Sequence, residues 1–293
     1  MLASSASRRA VRCLLVLSLA VSASTSLAET EGPKIDWKQG PSTADLGGKV
    51  AELKVPEKFV FAGAEDTKRL MESFGNPADG TEVGFLAPAD ENESWFVVFE
   101  YHDVGFIKDA DKEKIDADAL LASIREGTEE ANKVRKEKGM GTISVVGWAE
   151  PPRYDTVSHN LVWAIRGRGS DGHEVVNYNS RILGREGYTS ATLVTDPETL
   201  ATLKPQLAGI LGGFSYKSGR RYSEWVAGDK VAAYGLTALV AGGAGAAAAK
   251  LGLFGVLGKF LAKGWKLVAA AVVALGAGAK KLFGGKSEPG TPA

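Results

Sequence analysis

Cysteine occurs once in the 293 residues, at Cys13, and histidine three times. Cys13 lies in an apolar N-terminal run, so the remainder of the chain has no disulfide and no thiol chemistry. His102, His159 and His173 are too far apart for a zinc spacing and have no cysteine to help them. Phosphate loops are missing as well: 36 glycines make neither G-x-x-x-x-G-K-[ST] nor a G-x-G-x-x-G after a strand. A G-x-S-x-G nucleophile elbow is also absent. Nothing in the chain asks for a cofactor or a metal, and none is expected. Net charge is lacking too, with 35 basic residues against 35 acidic ones.

That balance hides an asymmetry. Residues 29–229 hold 24 basic and 34 acidic side chains, a net of −10, whereas the chain from Lys250 onward has seven lysines and one acid, Glu288. An acidic domain argues against nucleic acid, because neutralising phosphates needs a basic face. The N-terminus has the layout of a secretory signal over residues 1–28. Arg8, Arg9 and Arg12 precede the apolar run Cys13–Val21, and Ser26-Leu27-Ala28 is a small-x-small cleavage site.

The longest uncharged run is Val231–Ala249. As a helix it would span about 28 Å, close to the hydrocarbon thickness of a bilayer. Its rival reading is a core helix of the domain, because it is mostly Ala and Gly with Leu236 and Leu239 as strong apolar anchors. A second apolar stretch runs from Leu251 to Phe283, with Lys259, Lys263 and Lys266 on one helical face. It would lie in the interface with its lysines among headgroups, or cross as the second arm of a helical hairpin. The expectation is a membrane anchor over 231–283, a juxtamembrane linker over 216–230 and a basic tail over 284–293 on the cytoplasmic side. Arg220, Arg221, Tyr222, Trp225, Lys230, Lys250, Lys259, Lys263, Trp265 and Lys266 are then the residues at the membrane interface. The bilayer becomes a partner, and small residues such as Ala238, Gly242 and Ala246 would allow helix packing and a homo-oligomer.

Before the anchor, residues 29–48 read as an extended arm and 49–215 as an extracytoplasmic domain. Strands are predicted at Val50–Val55, Lys58–Ala62, Glu82–Pro88, Ser94–Ile107, Thr142–Ala149, Thr156–Arg168, Glu174–Leu183 and Gly187–Thr195. Helices are predicted at Glu65–Phe74, Asp116–Lys138 and from an Asp196 cap with Pro197 at its first position to Leu211. Tight turns between strands make the sheet mainly antiparallel, so the fold class is α+β with flanking helices. The closing meander, helix and Gly-Gly-Phe-Ser-Tyr are similar to the PsbP/Mog1-like α/β/α sandwich.

Two patches could carry chemistry. On a strand, Glu100 and His102 share a face and could act as a base or a ligand pair, although a solvated strand face needs the same pattern. The stretch Trp148–Trp163 holds Glu150, Arg153, Asp155, His159 and Asn160 around a turn at Pro151-Pro152, and Trp163 alternates with core residues. A periplasmic hydrolase would use Glu150, Asp155 and His159, or Glu100 and His102. The bland reading of both patches is packing and surface salt bridges. Asn177-Tyr178-Asn179-Ser180-Arg181 reads as outward polar residues or a polar binding face.

The runs GWAEPPRYD, HNLVWAI, YNSRILGREGY and DKVAAYGLTALVAGG resemble a family of predicted membrane-anchored proteins of Gram-negative bacteria, the domain of unknown function numbered 2167. The resemblance covers about Leu53 to Phe283. It implies an envelope protein with a signal, an extracytoplasmic domain and a C-terminal anchor, and it carries no catalytic residues over. Together with the charge asymmetry, the expectation is an inner-membrane-anchored periplasmic module that meets an unidentified envelope protein or ligand. A non-enzymatic binding or envelope-assembly module is the expectation.

Overall fold

The computed structural model describes residues 33–241, apart from 75, 77, 91, 138 and 140. The expected signal over 1–28, the anchor from 242 onward and the tail lie outside the described residues. So do Lys250, Lys259, Lys263, Trp265 and Lys266.

Among the described residues, eleven strands and four α-helices build the domain. The strands are β1 (Lys38–Gln39), β2 (Ser42–Leu46), β3 (Ala51–Val55), β4 (Phe59–Gly63), β5 (Glu82–Pro88), β6 (Phe96–His102), β7 (Ile143–Asp155), β8 (Asn160–Gly169), β9 (Glu174–Leu183), β10 (Tyr188–Thr195) and β11 (Phe214–Tyr216). The helices are α1 (Ala64–Ser73), α2 (Ala117–Glu137), α3 (Leu200–Leu211) and α4 (Leu236–Val240). Eight strands form one antiparallel sheet in the order β1-β4-β5-β6-β10-β9-β8-β7, and β11-β3-β2 form a smaller one. The α+β, mainly antiparallel expectation is met.

The large sheet is covered on both faces, which is why β5 is buried along its whole length and β6 opens with four buried apolar residues, Phe96 to Phe99. On one face α3 contributes Leu200, Leu203, Leu207 and Ile210, which pack with Leu46, Leu53 and Val55 of the small sheet against Val97, Ala164 and Leu193. On the other face α1 sets Leu70 and Met71 against Phe85, Phe96 and Val98. Further along that second face α2 sets Leu120 and Ile124 against Leu161, Trp163, Ile165 and Val175. Each such side chain contributes about 1.5–3 kcal/mol through burial.

Four expectations need correction. Residues 38–46 of the expected arm are paired strands, with Ala44 and Leu46 buried in the core beneath α3. Short strands flanked by Gly and Pro have little periodicity to reveal them. Pro151-Pro152 makes no turn: both lie inside β7, which is the sheet's edge strand and is bulged around Glu150. An edge tolerates residues with no N–H to donate. The actual turn is Thr156–His159, with Asp155 Oδ1 accepting from the N–H groups of Val157 and Ser158. Finally, α3 starts at Leu200 and not at Asp196; Asp196 contributes its carbonyl oxygen to a turn closed by Thr199.

The fourth correction concerns 216–241, expected as linker and start of the anchor. This segment is part of the domain. Tyr216 is buried in β11, and its hydroxyl donates to the carbonyl of Ile182 at 2.6 Å. Arg221 bridges Gly184, and Arg185 forks onto Asp229 at 2.7 and 2.8 Å. Val231 pairs with Phe106. Leu236, Leu239 and Val240 of α4 are buried in the cluster that holds Trp163. Asp111 supplies α4 with its cap, accepting from the N–H groups of Leu236 at 3.0 Å and Thr237 at 3.1 Å. Gly105, at φ +94°, makes the approach possible, because a Cβ there would sit 2.8 Å from the Lys230 carbonyl oxygen. Of the residues expected at a membrane interface, Tyr222 and Trp225 stack on Phe106 at 4.5 and 5.0 Å, and Lys230 reaches the Asp103 carbonyl. Hydropathy alone cannot separate a short core helix from the first turns of a span. Among the described residues no helix is long and apolar enough to cross a membrane.

Candidate functional site

Between the apolar cluster under α1 and that under α2, the same sheet face turns polar. The register explains how. Across β6, β10 and β9, Glu100 stands opposite Ser190, and Ser190 opposite Arg181. One step along, Val98 faces Thr192 and Thr192 faces Asn179; on the other side His102 faces Tyr188. Across to β8, Asn179 faces Trp163 and Asn177 faces Ile165. Side chains directly opposite in a ladder share a face. Glu100, His102, Tyr188, Ser190, Thr192, Asn177, Asn179 and Arg181 therefore line one trough.

The trough is deep. Glu100 and His102 keep 21 and 24 % of their side-chain surface exposed, whereas Arg181 keeps 7 % and Asn177 1 %. At the shallow end His102 Nε2 lies 3.9 Å from Glu100 Oε2, and the His102 ring stacks on Tyr188 at 4.5 Å. Burial raises the Tyr188 phenol well above its ordinary range; Arg181 opposes this, while Glu100 and Asp79 add to it. Tyr188 is therefore a neutral donor. At the deep end the Arg181 guanidinium lies over the rings of Trp163 at 5.0 Å and Tyr188 at 5.7 Å, and its Nη1 donates to Ser190 Oγ. Asn179 is satisfied by the Asn177 carbonyl and by Thr192. Three buried polar atoms are not satisfied: Arg181 Nε, Trp163 Nε1 and Asn177 Oδ1 have no hydrogen-bond partner. Buried polar atoms are rarely left so.

The second expected patch does not converge. Glu150 points to the α3 face, where Lys204 holds it, at the edge of a groove of about 800 Å³ lined by Trp148, Pro197, Leu200 and Ala208. Asp155 caps its own turn, and its carboxyl is held below the usual range first by the Val157 N–H, then by that of Ser158. His159 sits on the opposite face: Nδ1 lies 3.0 Å from the Tyr154 hydroxyl, which also bonds Asp109 at 3.3 Å, and its ring packs on Tyr222 at 4.2 Å. Burial, then Asp109, pushes the Tyr222 phenol up to about 12, so it stays neutral. Glu150, Asp155 and His159 thus never meet. Among the described residues, no group of three His, Cys, Asp or Glu side chains could hold a metal ion.

With the geometry in place, comparison with known proteins decides the kinship. A family model described as protein of unknown function, DUF2167, matches residues 38–276. The chain belongs to this family. No curated protein matches it. Among solved structures it is similar to the solution structure of cyanobacterial PsbP from Synechocystis sp. PCC 6803. That match has 13 % identity and a TM-score of 0.36, and covers 64 % of this chain and 95 % of that one. In this DUF2167 member the run Asn177 to Arg181 is buried throughout, and Asn177, Asn179 and Arg181 of it face the trough. An arginine amid the apolar letters of β9 was the available signal.

Proposed function

We propose that this DUF2167 protein is a non-enzymatic binding module of the Gram-negative envelope, held at the inner membrane by residues beyond 241 with its domain on the periplasmic side. The trough carries the reading: a sheet face closed by helices on either side keeps donors and an acceptor buried without partners. Such preorganised polar groups suit reception of a small molecule. The titratable groups that β6, β9 and β10 contribute to the trough are Glu100, His102, Tyr188 and Arg181. The tether draws support from the apolar composition of 242–283 and its lysines, and the compartment from the signal-like first 28 residues.

Two measurements test the parts separately. Full-length protein should stay with vesicles through an alkaline carbonate wash; release as a soluble species rejects the tether. Native mass spectrometry of protein taken from the envelope should show a bound small molecule that leaves on unfolding. A bare polypeptide mass across independent preparations rejects the binding role.

A further inference from the structure

Building on the trough's role as a receptor, we infer that its ligand is a carboxylate monoanion with a neutral or cationic body, its carboxylate seated on Arg181. The guanidinium has five N–H donors, and one edge is engaged: Nη1 gives its proton to Ser190 Oγ. Nε, buried with the rest of the side chain, has no acceptor. The Nε/Nη2 edge is the fork that takes a carboxylate side-on, as Arg185 does with Asp229 at 2.7 and 2.8 Å elsewhere in this domain. Arg181 forms no ion pair among the described residues, so a buried positive charge stands without a counter-ion. Beside it, the Trp163 indole Nε1 is a second buried donor with no acceptor. Two adjacent donors and a cation, all unanswered, ask for an oxyanion. The rings of Trp163 and Tyr188 hold the guanidinium plane and fit a flat group.

The rim sets the rest of the ligand. Glu100 is the nearest acid along the ladder but stands two strands from Arg181, about 9–10 Å at the usual spacing, with Ser190 between. Glu82 pairs with Glu100 on the next strand, its carboxylate taken by the N–H groups of Asp79 and Gly80. A second negative charge on the ligand would meet these acids at the shallow end. Deeper in, Asn177 Oδ1 is a buried acceptor without a donor.

Equilibrium titration of full-length protein in detergent, read by thermal shift and by indole fluorescence, tests this with benzoate, acetate, citrate, inorganic phosphate and benzamide as probes. Benzoate should bind saturably, citrate and phosphate at least tenfold more weakly, and benzamide not at all. Arg181→Met and Arg181→Lys should each weaken benzoate at least tenfold, the lysine because it keeps the charge and loses the fork. Should Arg181→Met not fold, Trp163→Phe, which removes one N–H and keeps the packing, should weaken benzoate several-fold. Benzamide binding as well as benzoate, or benzoate indifferent to both positions, overturns the carboxylate assignment. Silence from every probe overturns it as well. A bound molecule in native mass spectrometry would leave the receptor reading standing in either case, and its absence there removes both.

Discussion

Replacing Arg181 by methionine separates a side chain kept for binding from one kept for the fold. The substitution nearly conserves volume. It removes the charge-assisted bond to Ser190, worth about 1.5–3 kcal/mol, and two ring contacts worth up to about 2 kcal/mol each when desolvated. Against this it removes the desolvation penalty of a charge that is 7 % exposed, several kcal/mol in protein interiors. Methionine also restores about 0.3–1.5 kcal/mol per sulfur–aromatic contact with Trp163 and Tyr188. Ser190 keeps Thr192 Oγ1 at 3.4 Å as a neighbour. The two sides cancel to within about 2 kcal/mol, so the melting temperature should move by no more than about 4–8 °C in either direction, at roughly 2–4 °C per kcal/mol. Differential scanning calorimetry of the full chain, free of ligand, reads this directly. A loss of 3–5 kcal/mol is what breaking a compensated buried pair costs, and it would refute the claim that Arg181 stands without a counter-ion.

Other expectations follow from the segment that closes over the domain. Leu236→Ala should cost about 2–5 kcal/mol in the full-length protein, because the side chain is fully buried; unchanged stability would mean that 231–241 is not seated on the domain. Asp111→Ala removes the cap of α4 and should cost about 0.5–2 kcal/mol by chemical denaturation, with Asp111→Asn recovering much of it. Arg185 holds the Asp229 carboxyl down at about 2 against its ordinary 3.8, so the pair stabilises the fold above about pH 4 and the benefit fades as pH falls toward 2. Asp229→Asn should therefore melt lower than wild type at pH 6 and converge with it near pH 2; a gap that is constant with pH contradicts the linkage. His159→Ala should loosen Tyr222 by about 0.5–1.5 kcal/mol and shift Trp225 emission, whereas a silent Trp225 would dissociate that ring from the Tyr222–Phe106 stack.

Where periodicity was strong, element bounds could be read from the letters. Glu82–Pro88 and Glu174–Leu183 fall where β-branched and aromatic content placed them. Local signals misled where tertiary context overrode them: Pro151-Pro152 looks like a turn until β7 is known to be an edge. Alternation along β9 told which residues share a side, Asn177 with Asn179 and Arg181, but not that α1 and α2 flank and bury that side. Hence, of the two readings of Asn177 to Arg181, that of outward polar residues fails on burial. Glu100 and His102 were rightly joined by strand period, and their distance of 3.9 Å agrees. Glu150, Asp155 and His159 were grouped by closeness in sequence, and a bulged strand sends Glu150 and His159 to opposite faces.

The seating of Ala232 on Phe106 and of α4 on Asp111 draws residues 232–240 onto the domain. Asp111 stands just ahead of α2, so the closing segment and α2 share one support. Leu236 and Leu239 lie in the same buried cluster as Trp163, so the closing segment and the ring beneath the guanidinium belong to one packing unit.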